Sequence, residues 1–273
     1  FMISDRFPGE EEQARLYRNA GVPSVSILTE EDHFGGSLED LAAVKRALPE
    51  LAVLRKDFLF GREDVAVSHR AGADAVLLIA SMLEPPAIAE VFETAEELGL
   101  AVLAEAHDEE DLEKLRPHKP ALVGINSRDL TTFRVDPLTP LVLAQRVDWE
   151  CRLVFESGIY AAEQVQTALH GGFSGILVGE SVVRSPERIP ELIGALEGHY
   201  RASTRAGTTG SPGVGKPAAA KRERSRPVTI GAAGITPFFW SSIAAAVAGA
   251  RETGAAGARE TGAAQARETE ASG

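Results

Sequence analysis

The sequence predicts an α/β fold: a (β/α)8 barrel of the TIM type with seven of its eight strands visible, followed by a disordered low-complexity tail. Three observations carry this reading. From Ser24 to Val178 short apolar runs recur, each followed by a stretch with helical spacing. The runs lack polar alternation, as parallel strands covered on both faces do. Polar residues stand just past nearly every run; a barrel gathers such residues around one mouth, whereas a doubly wound sheet, the competing architecture, concentrates them at one switch point.

In chain order, PGEEEQARLYRNAGV has a helical charge pattern and is expected to be the helix that follows a first strand lying upstream of Phe1. SVSIL (24–28) and LAVL (51–54) read as strands, separated by the amphipathic SLEDLAAVKRAL with Ser37 as its N-cap. AVLLI (75–79) and AVLA (101–104) are the next strands, with PAIAEVFETAEELGL crossing between them. DEEDLEKL, capped by Asp108, leads to LVGI (122–125). LVF (153–155) and GILV (175–178) complete the set, joined by AAEQVQTALHGG. The barrel, N-terminally incomplete, is assigned to residues 1–200, and residues 201–273 to a linker and low-complexity tail. That tail opens rich in Gly, Ser, Pro and basic residues and closes on an eight-residue period marked by Arg251, Arg259 and Arg267. The uncharged run 228–250 is long enough to span a bilayer but rich in Ala, Gly and Pro, so a membrane segment is not expected.

Composition narrows the function. With 44% hydrophobic and 25% charged residues in 273, one large core can form. The net charge of −12, concentrated before the tail, repels phosphate backbones, so nucleic acid is excluded as a partner and any bound phosphate must sit in a local pocket. Cys151 is the only cysteine, which implies a reducing compartment, the cytoplasm by default. The first residues carry charges and no long apolar run, so no signal peptide is read there; Phe1 precedes Met2, which implies that the chain does not open at a natural start. The six histidines show no ligand spacing, and no dinucleotide or P-loop fingerprint occurs, so neither metal nor cofactor is expected.

The strand ends supply the candidate chemistry. Lys56 in LRKDF and Glu105 in LAEAHDEE close strands two apart and can face one cavity, Lys56 as proton donor and Glu105 as base. A structural ion pair of Lys56 with Asp57 or with Glu105 fits the same spacing. In GINSRDL, Asn126 and Arg128 share one side of an extended segment, suited to orienting a hydroxyl and gripping a carboxylate, although an Arg128–Asp129 loop network fits equally. ESGIY and VGESVV set Gly158 and Gly179 at the last two strand ends, where this fold commonly builds a phosphate site from backbone N–H groups; tight turns alone would also require these glycines.

Read together, SILTEEDHFGGSLEDL, LRKDF, AGADAVLLIA, GINSRDLTTF, ESGI and LVGES, in this order and spacing over about residues 10–198, closely resemble the indole-3-glycerol phosphate synthase family of tryptophan biosynthesis. The resemblance implies a barrel that closes the pyrrole ring of 1-(2-carboxyphenylamino)-1-deoxyribulose 5-phosphate with loss of carbon dioxide and water, without a cofactor. It implies that Lys56 is the general acid, that Glu105 serves the dehydration as base or shuttle, and that Asn126 and Arg128 position substrate. Glu156 and Ser157 would line the pocket, Phe34 and Phe58 would pack on the aromatic ring, and Gly158, Gly179, Glu180 and Ser181 would cradle the phosphate. Other enzymes of the pathway are its candidate partners. The family's opening strand carries an E-x-K-x-x-S-P-S segment that residues 1–9 do not match, which is the basis for expecting the first strand to be missing and activity to suffer. Two alternatives fit the residues less well: another phosphate-binding barrel isomerase, and a non-catalytic remnant that binds a phosphate ester or a partner.

Overall fold

The structure, a computed structural model, describes residues 9–206 apart from 23 and 131, with side chains to residue 199. Three acidic residues open helix α1 (Glu10–Asn19) and Arg18 closes it, matching the helix dipole at both ends. Strands β1 (Ser24–Leu28), β2 (Ala52–Lys56) and β3 (Ala75–Ile79) follow, with α2 (Leu38–Ala47) and α3 (Arg62–Ala71) between them. Next come α4 (Pro85–Leu98), β4 (Ala101–Ala106), α5 (Glu109–Leu115), β5 (Leu122–Asn126) and α6 (Thr139–Leu143). The described chain ends with β6 (Arg152–Glu156), α7 (Ala162–His170), β7 (Gly175–Leu177), α8 (Glu180–Arg184) and α9 (Ile189–Ala206). Both expected caps form: Ser37 Oγ accepts the Asp40 N–H at 3.1 Å, and Asp108 Oδ1 accepts the Asp111 N–H at 2.9 Å.

All seven strands are parallel and lie in chain order, β1 through β7. A doubly wound sheet reverses its order at a switch point, so this topology excludes that alternative and leaves the singly wound barrel arrangement. Residues alternate between two layers, because strand side chains repeat with a period of two. Val53, Val76, Leu78, Ala104, Val123, Ile125, Phe155 and Ile176 face the helices in the main core. Leu54, Leu77, Leu103, Leu122, Val154 and Leu177 form a second, inner cluster. The strands carry on past the purely apolar runs, so that Lys56, Glu105, Asn126 and Glu156 are strand residues rather than the first residues of loops.

Among the described residues no helix is long and apolar enough to cross a membrane. The run 228–250 and the Arg-marked repeat lie outside the described residues, as does the linker and tail expected over 201–273 from residue 207 on.

Candidate active site

Alternation aims the candidate side chains. Lys56 continues the inward row of Leu54, Glu105 that of Leu103, Asn126 that of Leu122 and Gly124, and Glu156 that of Val154. The register then brings them level: Glu105 stands opposite Gly124, and Asn126 opposite Glu156. Asn126 Nδ2 donates to Glu105 Oε1 at 3.0 Å, while its Oδ1 accepts the Arg128 N–H at 3.0 Å, so the two neighbours together orient the amide. Lys56 Nζ lies 3.8 Å from Glu105 Oε2.

Glu105 and Glu156 are each 1% exposed, and their electrostatics diverge. Burial opposes ionisation of Glu105, but Lys56 and His107 outweigh it and hold its pKa at about 2. Burial, reinforced by the neighbouring charge of Glu105, pushes Glu156 well above the usual carboxylate range. The two carboxyls are thus driven apart, Glu105 toward the ionised form and Glu156 toward the protonated one. Room for Glu156 comes from Gly124, where a β-carbon would collide with Glu156 Oε1.

On the outer face of β2, Arg55 is buried in a network of its own. Its Nη2 donates to Asp57 Oδ2 at 2.7 Å and its Nε to Thr29 Oγ1 at 2.9 Å, while the Thr29 hydroxyl donates to Asp57 at 2.6 Å. Asp57 is thus engaged by Arg55 and Thr29, and Lys56 faces Glu105. Asp57 Oδ1 also accepts the Phe58 N–H at 2.8 Å, fixing the loop that presents Phe58 to the inner cluster. The Phe34 ring lies 6.4 Å from that of Phe58, tilted by 52°.

A cavity of about 150 Å³ at the strand ends is lined by Lys56, Arg128, Ser157, Gly158, Gly179, Glu180 and Ser181, together with apolar residues of the same loops. A larger groove of about 330 Å³ lies elsewhere, among Glu109, Glu113, Arg116 and Arg146 on the outer helices, and holds none of the candidate residues. Of the inward polar residues at the strand ends, Lys56 lines the smaller cavity, which makes it the candidate site. Glu105, Asn126, Glu156, Phe34 and Phe58 are not among the residues that line it.

The loop after β6 turns through two left-handed residues, Ser157 at φ 65° and Gly158 at φ 73°. At Gly158 a β-carbon would also press to 2.9 Å from Val135 Cγ1 and 3.1 Å from Ser127 Oγ. Ser157 adopts this conformation without being glycine, a strain typical of functional loops. Ser181 Oγ donates to the Ile159 carbonyl at 2.9 Å and so ties the loop after β7 to the loop after β6. Arg128 reaches Glu180 at 3.6 Å across the cavity, and Arg184 holds the other Glu180 oxygen at 3.1 Å.

Three features escaped the reading of the sequence. An isolated glycine inside a strand signals a close approach, which was available at Gly124. His107, two residues beyond Glu105, lies on the same side of the chain by simple alternation, and its Nε2 stands 3.1 Å from Glu105 Oε1. The Arg55–Asp57–Thr29 network joins residues of two strand ends and has no local signature.

A sequence model described as indole-3-glycerol phosphate synthase matches residues 3–192. Among curated proteins, the indole-3-glycerol phosphate synthase of Carboxydothermus hydrogenoformans is 42% identical over 178 residues, covering 65% of this chain and 67% of that protein. That of Halalkalibacterium halodurans is 39% identical over 187 residues, covering 67% and 72% respectively. The chain thus spans about two thirds to three quarters of the length of these relatives. Among solved structures, a 3-hexulose-6-phosphate synthase superposes with a TM-score of 0.56 over 68% of this chain and 93% of its own, at 17% identity, a likeness of fold.

Proposed function

Since the chain belongs to the indole-3-glycerol phosphate synthase family, carboxy-lyases of tryptophan biosynthesis that act on a phosphorylated small molecule, we propose that the residues gathered at its strand ends carry that ring closure. The observation that supports this most is the half-buried Lys56, which faces the buried Glu105–Asn126 pair and lines the cavity that Ser157, Gly158, Gly179 and Ser181 also line.

In this reading Lys56 donates a proton to the ribulose carbonyl oxygen as the ring carbon bearing the carboxylate attacks the carbonyl carbon. The bond to the carboxylate then breaks, carbon dioxide leaves, and its electron pair restores the aromatic ring. The hydroxyl left at the former carbonyl carbon departs as water, taking a proton from an acid while a base removes one from the substrate. Glu105, held toward the ionised form, suits the base; with the Lys56 proton already spent, Glu156, held toward the protonated form, is the acid at hand. Asn126 holds Glu105 in place, and Arg128 grips the substrate carboxylate from the rim. Phe34 and Phe58 cover the aromatic ring, and Ser157 closes the wall beside it. Backbone N–H groups of Gly158, Gly179, Glu180 and Ser181 receive the phosphate, since the Ser181 hydroxyl is already given to Ile159. A cytoplasmic setting belongs to the same reading and rests on the single, half-buried Cys151.

The test is Lys56→Ala, with indole-glycerol fluorescence as the readout. Turnover should fall by about 10² to 10⁴-fold, the usual contribution of a general acid, with little change in KM. An unchanged turnover number would overturn the assignment.

A further inference from the structure

His107 takes no part in the chemistry just described, yet it is built into the site. Its side chain is 13% exposed and stands between two carboxylates, Nε2 at 3.1 Å from Glu105 Oε1 and Nδ1 at 3.5 Å from Asp111 Oδ2. These are ion-pair contacts off the line of a hydrogen bond. Asp111 is itself held fast in the first turn of α5. Its Oδ2 accepts the backbone N–H of His107 at 2.9 Å, and its own N–H donates to the Asp108 cap at 2.9 Å.

The two oxygens of Glu105 therefore differ. Oε1 accepts a hydrogen bond from Asn126 Nδ2, at 3.0 Å, and has the ion-pair contact of His107 Nε2, at 3.1 Å. Oε2 is buried, accepts no hydrogen bond and faces Lys56 at 3.8 Å. We propose that His107, anchored by Asp111, is a positioning residue that clamps Oε1 of Glu105 and leaves Oε2 as the oxygen that exchanges the proton. This inference rests on the reading of Glu105 as the base.

For the clamp to work the imidazole must be charged. Burial disfavours that charge, but Asp111 and Glu105 outweigh it and hold the His107 pKa at about 9. The charged and titratable groups facing it are Glu105 on β4, Asp111 on α5 and Glu156 on β6, while Lys56 on β2 stands at the other oxygen of Glu105. A histidine that merely anchored the start of α5 would share the contact with Asp111 but would leave the ionisation of Glu105 untouched.

The experiment uses the full chain. Ring-nitrogen NMR should show His107 titrating near pH 9, and titrating lower in Asp111→Asn, toward the ordinary 6.5. Titration of the unaltered protein at or below 6.5 would overturn the proposal without any variant having to fold. In the kinetic arm, His107→Ala should lower kcat by about 10 to 100-fold with KM nearly unchanged, as loss of an orienting partner does. It should also move the acidic limb of the kcat profile upward by about one unit, because Glu105 loses a cation. His107→Gln, which keeps a donor but not the charge, should restore part of kcat and little of the shift. If Glu105→Gln abolishes turnover while folded His107→Ala and His107→Gln keep the normal kcat and acidic limb, the clamp is wrong and the base stands. If Glu105→Gln leaves turnover intact, the base assignment fails and takes this inference with it.

Discussion

Glu156 lies across Gly124: the carboxylate of one strand occupies the space that any β-carbon on the neighbouring strand would need. This layer of inward polar residues is therefore shaped by a missing side chain as much as by those present.

Gly124→Ala should force Glu156 out of its position or spread the two strands. Overpacking of this kind costs about 1 to 3 kcal/mol, a fall in Tm of roughly 2 to 10 °C for a domain of this size. Adding Glu156→Ala should recover much of the loss, because the collision disappears with the larger partner. Equal melting of Gly124→Ala and the parent protein would show that no such collision exists.

Glu105→Gln removes the buried negative charge yet keeps the shape and the contact with Asn126. Turnover should drop by about 10² to 10⁴-fold with the circular dichroism spectrum unchanged. Retained turnover in a folded variant would remove Glu105 from the base role.

Stability should respond to pH through opposing groups. Glu156 has a raised folded pKa, so its contribution is complete below the unfolded value of 4.5 and is lost as pH climbs toward its folded value. His107 behaves alike, losing its contribution as pH rises from 6.5 through about 9. Glu105 is depressed, so its contribution is present above 4.5 and vanishes as pH falls toward about 2. Tm should therefore decline between pH 6.5 and 9 through His107, and the part of the decline that begins above 4.5 through Glu156 should disappear in Glu156→Gln, which is neutral throughout. An identical pH dependence above 4.5 in the variant would contradict the raised pKa of Glu156.

Arg55→Met strands Asp57, whose side chain is 11% exposed, with Thr29 as its remaining side-chain partner. Breaking a buried pair from one side costs about 3 to 5 kcal/mol, measurable by denaturant titration. Arg55→Lys should rescue little, because one ammonium cannot serve Asp57, Thr29, Ser68 and the Asp64 carbonyl together. Full stability in Arg55→Met would mean that the network is dispensable.

Inorganic phosphate should compete with substrate at the loops after β6 and β7. Gly158→Ala, which puts a β-carbon on a left-handed residue against Val135, should weaken that competition by about tenfold, given the 1 to 2 kcal/mol cost of the conformation. Unaltered inhibition would place the phosphate elsewhere.

Much of this was readable in the chain. The strands sit where the apolar runs do, with β1 and β3 matching residue for residue, and Ser37 and Asp108 cap the helices expected of them. Local pattern suffices for such features, because a strand's apolar run and a cap's hydroxyl or carboxylate act within a few residues. The pairing of Lys56 with Glu105, across an intervening strand, was one of several partners open to it; Asp57, adjacent in sequence, points to the other side of β2. The fit of Glu156 over Gly124 and the joint grip of Asn126 and His107 on one oxygen depend on which residues become level once the sheet is wound. That register is a long-range outcome, and no window of sequence contains it.

The stretch from Glu105 to Asp111 ends a strand, turns, caps a helix and sets His107 beside the buried Glu105 carboxylate, all within one short segment. Such compression leaves no slack for changes of length. One residue inserted there would rotate His107 to the opposite side and pull Asp111 off its cap together. In a library of random insertions and deletions, this turn should stay empty of survivors while exposed connections such as the hairpin carrying Phe133 collect them.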